Sequence, residues 1–258
     1  MPQTPISKQN NLKANLKQMR SVLIAYSGGT DSAYLAKTAH DLLGKNATAV
    51  TKTSPAYPKA QLDEAKKTAK QIGITHIIIP PKPSDLKNIE KNQKDRCYHC
   101  KNQLYKDLKI IAKKQDITHI LDGTNYTDKD RPSIQVIKEQ NIQVPLKDAK
   151  LTKKDIRTLS KKQNLPTWNK PEESCIATRF PQGTKITAQN LEKIQKAENI
   201  IKTLGIKQLR IRHHNTQAII EIPKKDIPQL LKNQKKITKQ LKNLGYPTVA
   251  LDLEPLKE

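Results

Sequence analysis

Aromatic side chains are scarce: one Phe, one Trp and seven Tyr make up 3% of 258 residues. So few flat faces leave little platform for stacking single-stranded nucleic acid. Cysteine occurs only three times, at Cys97, Cys100 and Cys175, and an odd count argues against a disulfide framework. No apolar run approaches the ~20 residues of a membrane span. The stretch from Met1 to Arg20 lacks the apolar centre of a signal peptide. These absences set the expectation of a cytoplasmic protein with no membrane partner. The lysine-bearing phosphate loop, G-x-x-x-x-G-K-[ST], is missing as well.

Acidic residues are in deficit: 24 Asp and Glu stand against 48 Lys and Arg, a net charge of +24. Mean hydropathy is −0.75, yet Ile, Leu and Val recur in periodic blocks, so the chain is polar without being disordered. The lysines are spread along most helices rather than massed in one tail. That pattern fits a solvated basic surface attractive to phosphorylated small molecules. Weak, salt-dependent nucleic-acid binding follows from charge alone. The length suffices for one large or two modest domains.

The most informative run is Ser27-Gly28-Gly29-Thr30-Asp31-Ser32. Before it lies Val22-Leu23-Ile24-Ala25-Tyr26, short and apolar. After it, Ala33, Leu35, Ala36, Ala39, Leu42 and Leu43 recur at helical spacing. That is strand, glycine turn, helix. Glycines leave backbone N–H groups unshielded, and the helix start adds partial positive charge. Ser27 and Ser32 add hydroxyls. Such a loop holds an anion, pyrophosphate above all. The motif resembles the PP-loop of the ATP pyrophosphatases, which cleave ATP to AMP and pyrophosphate.

Further strands are expected at 46–51, 74–79 and 118–121, and helices at 59–73, 98–115 and 153–163, the last capped by Thr152. This alternation predicts an α/β fold: a Rossmann-like parallel sheet, with its ligand at the carboxyl ends of the strands. Beyond residue 180 the pattern changes. A helix at 188–204 precedes strands at 208–212, 217–222 and 248–251. The expected division is a domain over 1–180 and a smaller α+β domain over 181–258.

Cys97-Tyr98-His99-Cys100 sets two thiols at a helix start, where the helix dipole favours thiolate. Cys175 is distant in sequence but close to the domain boundary. Three thiolates suit a 4Fe-4S cluster with one iron left open. Zinc, with His99, His213 or His214 as fourth ligand, is a second option, although His99 lies between its neighbours in one turn. A redox CxxC with a separate catalytic Cys175 is a third.

Several blocks resemble the LarE family of ATP-dependent sulfur transferases. They are Ser27 to Ser32, Arg96-Cys97-Tyr98-His99-Cys100-Lys101, Asp122-Gly123-Thr124-Asn125, Asp130-Arg131-Pro132, the run from Leu151 to Arg179, and Arg210-x-Arg212-His213-His214. They cover nearly the whole chain in the family's order. Two positions depart: Thr30 replaces a more usual apolar residue, and Ser133 stands where a glycine turn is expected. Thr30 should matter little, because backbone groups carry the function of that loop.

The resemblance implies a chemistry. ATP, with Mg²⁺, adenylates a carboxylate of a pyridinium dicarboxylate mononucleotide, and sulfur then displaces AMP to give a thiocarboxylate for the nickel-pincer nucleotide. It assigns Ser27, Gly28, Gly29, Thr30, Asp31 and Ser32 to ATP. Cys97, Cys100 and Cys175 would hold a 4Fe-4S cluster that carries the sulfur; in the family's other form Cys175 alone gives up its sulfur. The family also implies a homo-oligomer, a hexamer. Arg179, four residues after Cys175, is a candidate to orient substrate. Arg210 and Arg212 alternate on a strand and would fork the substrate phosphate. Glu198, on a polar helix face, reads equally as a solvated charge or as a site residue, and Trp168 as packing. The competing classes are a tRNA-thiolating enzyme with a cysteine-bound cluster, an amide-forming synthetase that leaves the thiols unexplained, and a nucleotide-binding module without turnover.

Overall fold

The structure, a computed structural model, describes residues 4–128 and 132–256; the Asp130-Arg131 pair lies outside them. In chain order the helices and strands are α1 (Pro5–Gln18), β1 (Val22–Ala25), α2 (Thr30–Leu43), β2 (Ala47–Lys52), α3 (Lys59–Ile72), β3 (Thr75–Ile79), α4 (Pro83–Glu90), α5 (Arg96–Lys114), β4 (His119–Asp122), α6 (Pro132–Glu139), α7 (Pro145–Asp148), α8 (Lys153–Lys162), α9 (Ala188–Lys202), β5 (Arg210–His214), β6 (Gln217–Glu221), α10 (Ile227–Lys232), α11 (Gln234–Asn243) and β7 (Thr248–Leu251). They fall into two compact units. One comprises Met1–Ser54, Lys59–Pro81 and Asp95–Glu173, the other Pro55–Pro58, Lys82–Lys94 and Ser174–Glu258.

The first unit carries a parallel sheet of order β3-β2-β1-β4. Every residue of β1 is buried, and alternation sends its side chains to opposite faces. Val22 and Ile24 join Leu12, Leu16, Leu35, Ile156 and Leu159 from α1, α2 and α8. Leu23 and Ala25 join Val50, Tyr105, Leu108 and Val136 on the other face. A parallel sheet needs both faces covered, and each Leu or Ile so buried contributes about 1.5–3 kcal/mol. The chain steps outward from β1 through β2 to β3, then returns to lay β4 against the other side of β1. That reversal opens a crevice at the carboxyl ends of β1 and β4, where Ser27 and Gly123 follow.

The second unit packs a sheet of order β5-β6-β7, antiparallel between β5 and β6 and parallel between β6 and β7. Ile211, Ala218 and Ile220 meet Leu191, Ile194 and Ile201 of α9 and Ile237 and Leu241 of α11. Ala56 and Ile89, from the two inserted segments, complete that core. The α/β architecture matches the sequence pattern. The helices α1, α4, α6 and α7 are not anticipated by the sequence pattern; α6 starts at Pro132, where Ser133 in place of glycine weakens the expectation of a turn. Among the described residues no helix is long and apolar enough to cross a membrane.

His213 sits in this second core, 6% exposed, its Nδ1 3.0 Å from the Tyr246 hydroxyl. Burial, then Lys193 and His214, push its pKa below the ordinary value of 6.5. The folded protein therefore favours the neutral ring, and the unfolded chain binds the proton more readily. This contribution to stability should be complete above the unfolded value of about 6.5 and decline as pH falls below it. Urea midpoints measured from neutral pH down through that value should show the decline, and His213→Gln should reduce it. An unchanged pH slope in the variant would show that this ring does not cause it.

Candidate functional site

The loop after β1 is built from its own side chains. Gly28 has φ +70° and lies so close to α3 that a Cβ there would stand 2.6 Å from the Ala65 Cβ and 2.9 Å from its Cα. Only glycine combines that conformation with that approach. Gly29 differs: its φ is −80°, and it takes the N-cap position of α2. The Ser27 and Ser32 hydroxyl oxygens are 3.1 Å apart. The Ser27 N–H donates to the Ser32 Oγ at 3.2 Å, and the Gly29 N–H donates to the Ser27 Oγ at 3.3 Å. These hydroxyls close the turn over the start of a helix, where backbone N–H groups and the dipole favour an anion.

Asp31 follows inside that helix. Lys153 donates to its Oδ2 at 2.8 Å and Asn125 at 3.3 Å, while Oδ1 is buried with no hydrogen-bond partner among the described residues. Burial pushes the Asp31 carboxyl above the ordinary carboxylate value, against the pull of Lys153 and Asn125. A buried carboxylate oxygen of this kind has the chemistry of a Mg²⁺ ligand. At the end of β4, Gly123 abuts the same helix start: a Cβ there would be 3.1 Å from the Ser32 nitrogen. Asp122 accepts from Tyr105 at 2.8 Å and from the Thr124 hydroxyl at 2.6 Å, with Lys101 at 3.3 Å. Burial alone would raise its pKa, but Lys101, Thr124 and Tyr105 prevail and hold it low. Asp122 thus ties α5, and the CxxC at its start, to the carboxyl end of the sheet.

Cys97 and Cys100 lie in the first turns of α5, and all three cysteines are exposed thiols. His99 is turned to Asp95, at 3.1 Å. Of the three histidines considered for zinc, His213 is buried and engaged with Tyr246, while His99 and His214 are exposed. Among the described residues no three His, Cys, Asp or Glu side chains are gathered as a metal site. Cys97 and Cys100 stand one helical turn apart on α5, a spacing that suits two thiolate ligands of one metal centre.

In the second unit Cys175 immediately precedes a short 3₁₀ turn, Ile176–Arg179, with its thiol 3.9 Å from the Ala56 carbonyl oxygen. Arg179 is buried, and its donors are spent on protein. Nε meets Glu198 at 2.6 Å, and Nη1 meets the Ser174 Oγ at 2.6 Å and the Thr178 Oγ1 at 3.1 Å. The guanidinium therefore braces both flanks of Cys175. Glu198 is 5% exposed, which corrects its reading as a solvated charge: it accepts from Arg179 and from the Ile211 N–H at 3.3 Å. Sequence reasoning missed this pair because its partners are 19 residues apart on separate elements. Arg212 forks Glu221 at 2.6 and 2.9 Å and donates to the Thr178 carbonyl at 2.7 Å. Arg210 shares its strand. Burial first, then Arg179 and Arg212, depress its guanidinium, against the pull of Glu221 and Glu198. Trp168 is half-buried, with Lys161 4.6 Å over its ring.

Fold and loop together define a Rossmann-like α/β protein with a glycine turn where its first strand meets a helix. No family model matches the chain. It is 32% identical over 255 residues to the pyridinium-3,5-bisthiocarboxylic acid mononucleotide synthase of Lactiplantibacillus plantarum, covering 97% of this chain and 92% of that one. The chain belongs to that LarE family. An uncharacterised protein of Synechocystis is 36% identical over 252 residues, covering 96% of this chain and 94% of its own length. One from Methanocaldococcus jannaschii is 31% identical over 251 residues, covering 96% and 95%.

Proposed function

We propose that this protein is an ATP-dependent sulfur transferase that makes a pyridinium thiocarboxylate mononucleotide for nickel-pincer nucleotide biosynthesis. The observation that carries the reading is the Ser27 to Ser32 loop, with Gly28 pressed on Ala65, in a chain aligned end to end with a synthase of that product. In the first step the substrate carboxylate attacks the α-phosphorus of ATP. An acyl-adenylate forms and pyrophosphate leaves. The loop N–H groups, the Ser27 and Ser32 hydroxyls and the helix start neutralise the leaving pyrophosphate, with Mg²⁺ as counter-ion and the Asp31 Oδ1 as an available ligand. In the second step a sulfur nucleophile attacks the activated carbonyl and AMP departs, a far better leaving group than oxide.

Cys97, Cys100 and Cys175 are the thiolates that would hold a 4Fe-4S cluster. When bound, such a cluster with one iron not ligated by protein supplies a transferable sulfide. Arg179 keeps the Cys175 turn in place through Ser174 and Thr178. Arg210 and Arg212 would receive the substrate phosphate; three guanidiniums, with Arg179, against Glu198 and Glu221 leave positive charge to spare there.

Anaerobic purification with iron and sulfide analysis, followed by a single turnover with ATP and the mononucleotide, tests the reading. Expected are AMP and pyrophosphate in equal amounts, bound iron, and loss of both iron and thiocarboxylate product in each Cys→Ser variant. Stoichiometric ADP, or AMP formation that requires tRNA, would overturn the proposed reaction. A mass loss of H₂S at Cys175, with Cys97→Ser and Cys100→Ser fully active, would instead assign the sulfur to Cys175 itself.

A further inference from the structure

We infer that Thr30 is a positioning residue through which the phosphate loop holds the segment 165–173, the stretch of chain that runs directly into Cys175. The inference rests on the functional reading above and concerns a loop side chain that bonds a distant backbone carbonyl. Thr30 is 4% exposed. Its hydroxyl donates to the Thr167 carbonyl at 2.8 Å, across 137 residues of sequence. The same carbonyl accepts the Lys170 N–H at 3.1 Å. Arg157 Nη2 donates to the Lys170 carbonyl at 3.1 Å. The turn from Thr167 to Lys170 is therefore held at its first and its last carbonyl.

Two further links run from the surroundings of the loop to the same segment. The Lys170 ammonium reaches Glu64 at 2.7 Å and Glu173 at 3.2 Å, and Glu64 precedes Ala65, the residue against which Gly28 packs. Lys153 joins Asp31 at 2.8 Å and Glu172 at 3.6 Å. Loop residues 30 and 31 thus reach the segment near both ends, one directly and one through a lysine. An apolar side chain at position 30 would fill the same space but could not donate. Thr30→Val removes the link and still leaves the Thr167 carbonyl its bond from Lys170, so no buried acceptor is orphaned. Sulfur delivery needs near-attack geometry, and small displacements of a reacting group reduce rate steeply. A segment that loosens beside the loop would let acyl-adenylate form and then be lost to water before sulfur reaches it.

Two measurements on full-length Thr30→Val and Thr30→Ser test this. In nucleotide-free protein, the amides of Trp168 and Lys170 should exchange with deuterium roughly fivefold faster in the valine variant, the factor that one net hydrogen bond is worth. Serine should restore wild-type exchange. In single turnover the ratio of thiocarboxylate to AMP should fall roughly tenfold with valine and recover with serine. Unchanged exchange in the valine variant overturns the link itself. Faster exchange with an unchanged product ratio overturns the positioning role. A wild-type protein that forms no AMP defeats the functional reading instead, and the exchange result still decides whether Thr30 holds the segment.

Discussion

Gly28→Ala should yield a protein destabilised by about 2–5 kcal/mol that, on the proposed reaction, no longer forms AMP from ATP. The figure combines left-handed strain of about 1–2 kcal/mol on a non-glycine residue with overpacking of about 1–3 kcal/mol. The overpacking is unavoidable here, because the new methyl would meet the backbone of α3 as well as the Ala65 methyl. Relief requires α3 to retreat, and α3 carries Glu64, the partner of Lys170. Gly29→Ala is the internal control. Its φ of −80° suits any residue, and the nearest atom to its new methyl is the rotatable Ser27 Oγ at 3.3 Å. Its stability should stay within about 1 kcal/mol of wild type. Urea denaturation of the two variants decides the matter, and equal losses would mean that the close approach at Gly28 is not what constrains the loop.

Glu198→Ala should cost about 3–5 kcal/mol, because it strands the Arg179 guanidinium in the second core without its counter-charge. The side chains of the pair are 6% and 7% exposed, so water cannot take over the role of the carboxylate. The cost should be largely absent when both partners become apolar, as in Arg179→Met with Glu198→Leu, since a buried ion pair and a hydrophobic replacement are often near equal. The double variant separates stability from function. It should fold, yet it no longer braces Ser174 and Thr178, so a Cys175-selective alkylating reagent should react at an altered rate. A double variant as unstable as Glu198→Ala would show that lost packing, not an orphaned charge, dominates.

Much of the frame was legible because it is written locally. The short apolar run before Ser27 and the 3.6-residue period after it specify strand and helix without distant help, and Thr152 caps α8 through the Asp155 N–H as read. α1 was passed over although Thr4 and Pro5 carry ordinary start signals. Only Leu12 and Leu16 of that helix are buried, too few to mark an amphipathic period. The links around the loop were invisible for another reason. Thr30 to Thr167, Lys153 to Asp31 and Lys52 to Asp107 join residues 55 to 137 positions apart. Nothing in the composition of either partner names the other. A threonine that looked interchangeable with an apolar residue acts through a hydroxyl whose acceptor is a backbone carbonyl, and no sequence motif encodes a carbonyl.

The second unit draws Ala56 and Ile89 from early in the chain and finishes only with β7. On a ribosome adding about 5–20 residues per second, the apolar side of α4 emerges roughly five to thirty seconds before α9, β6 and α11 exist to cover it. Vectorial synthesis therefore leaves that apolar side without its partners until the later elements emerge. The same interleaving means that a gene fragment starting at Ser174 would encode a core missing two of its apolar contributors, so the second unit should be recovered by recombinant expression only together with the stretch that carries Pro55 to Lys94.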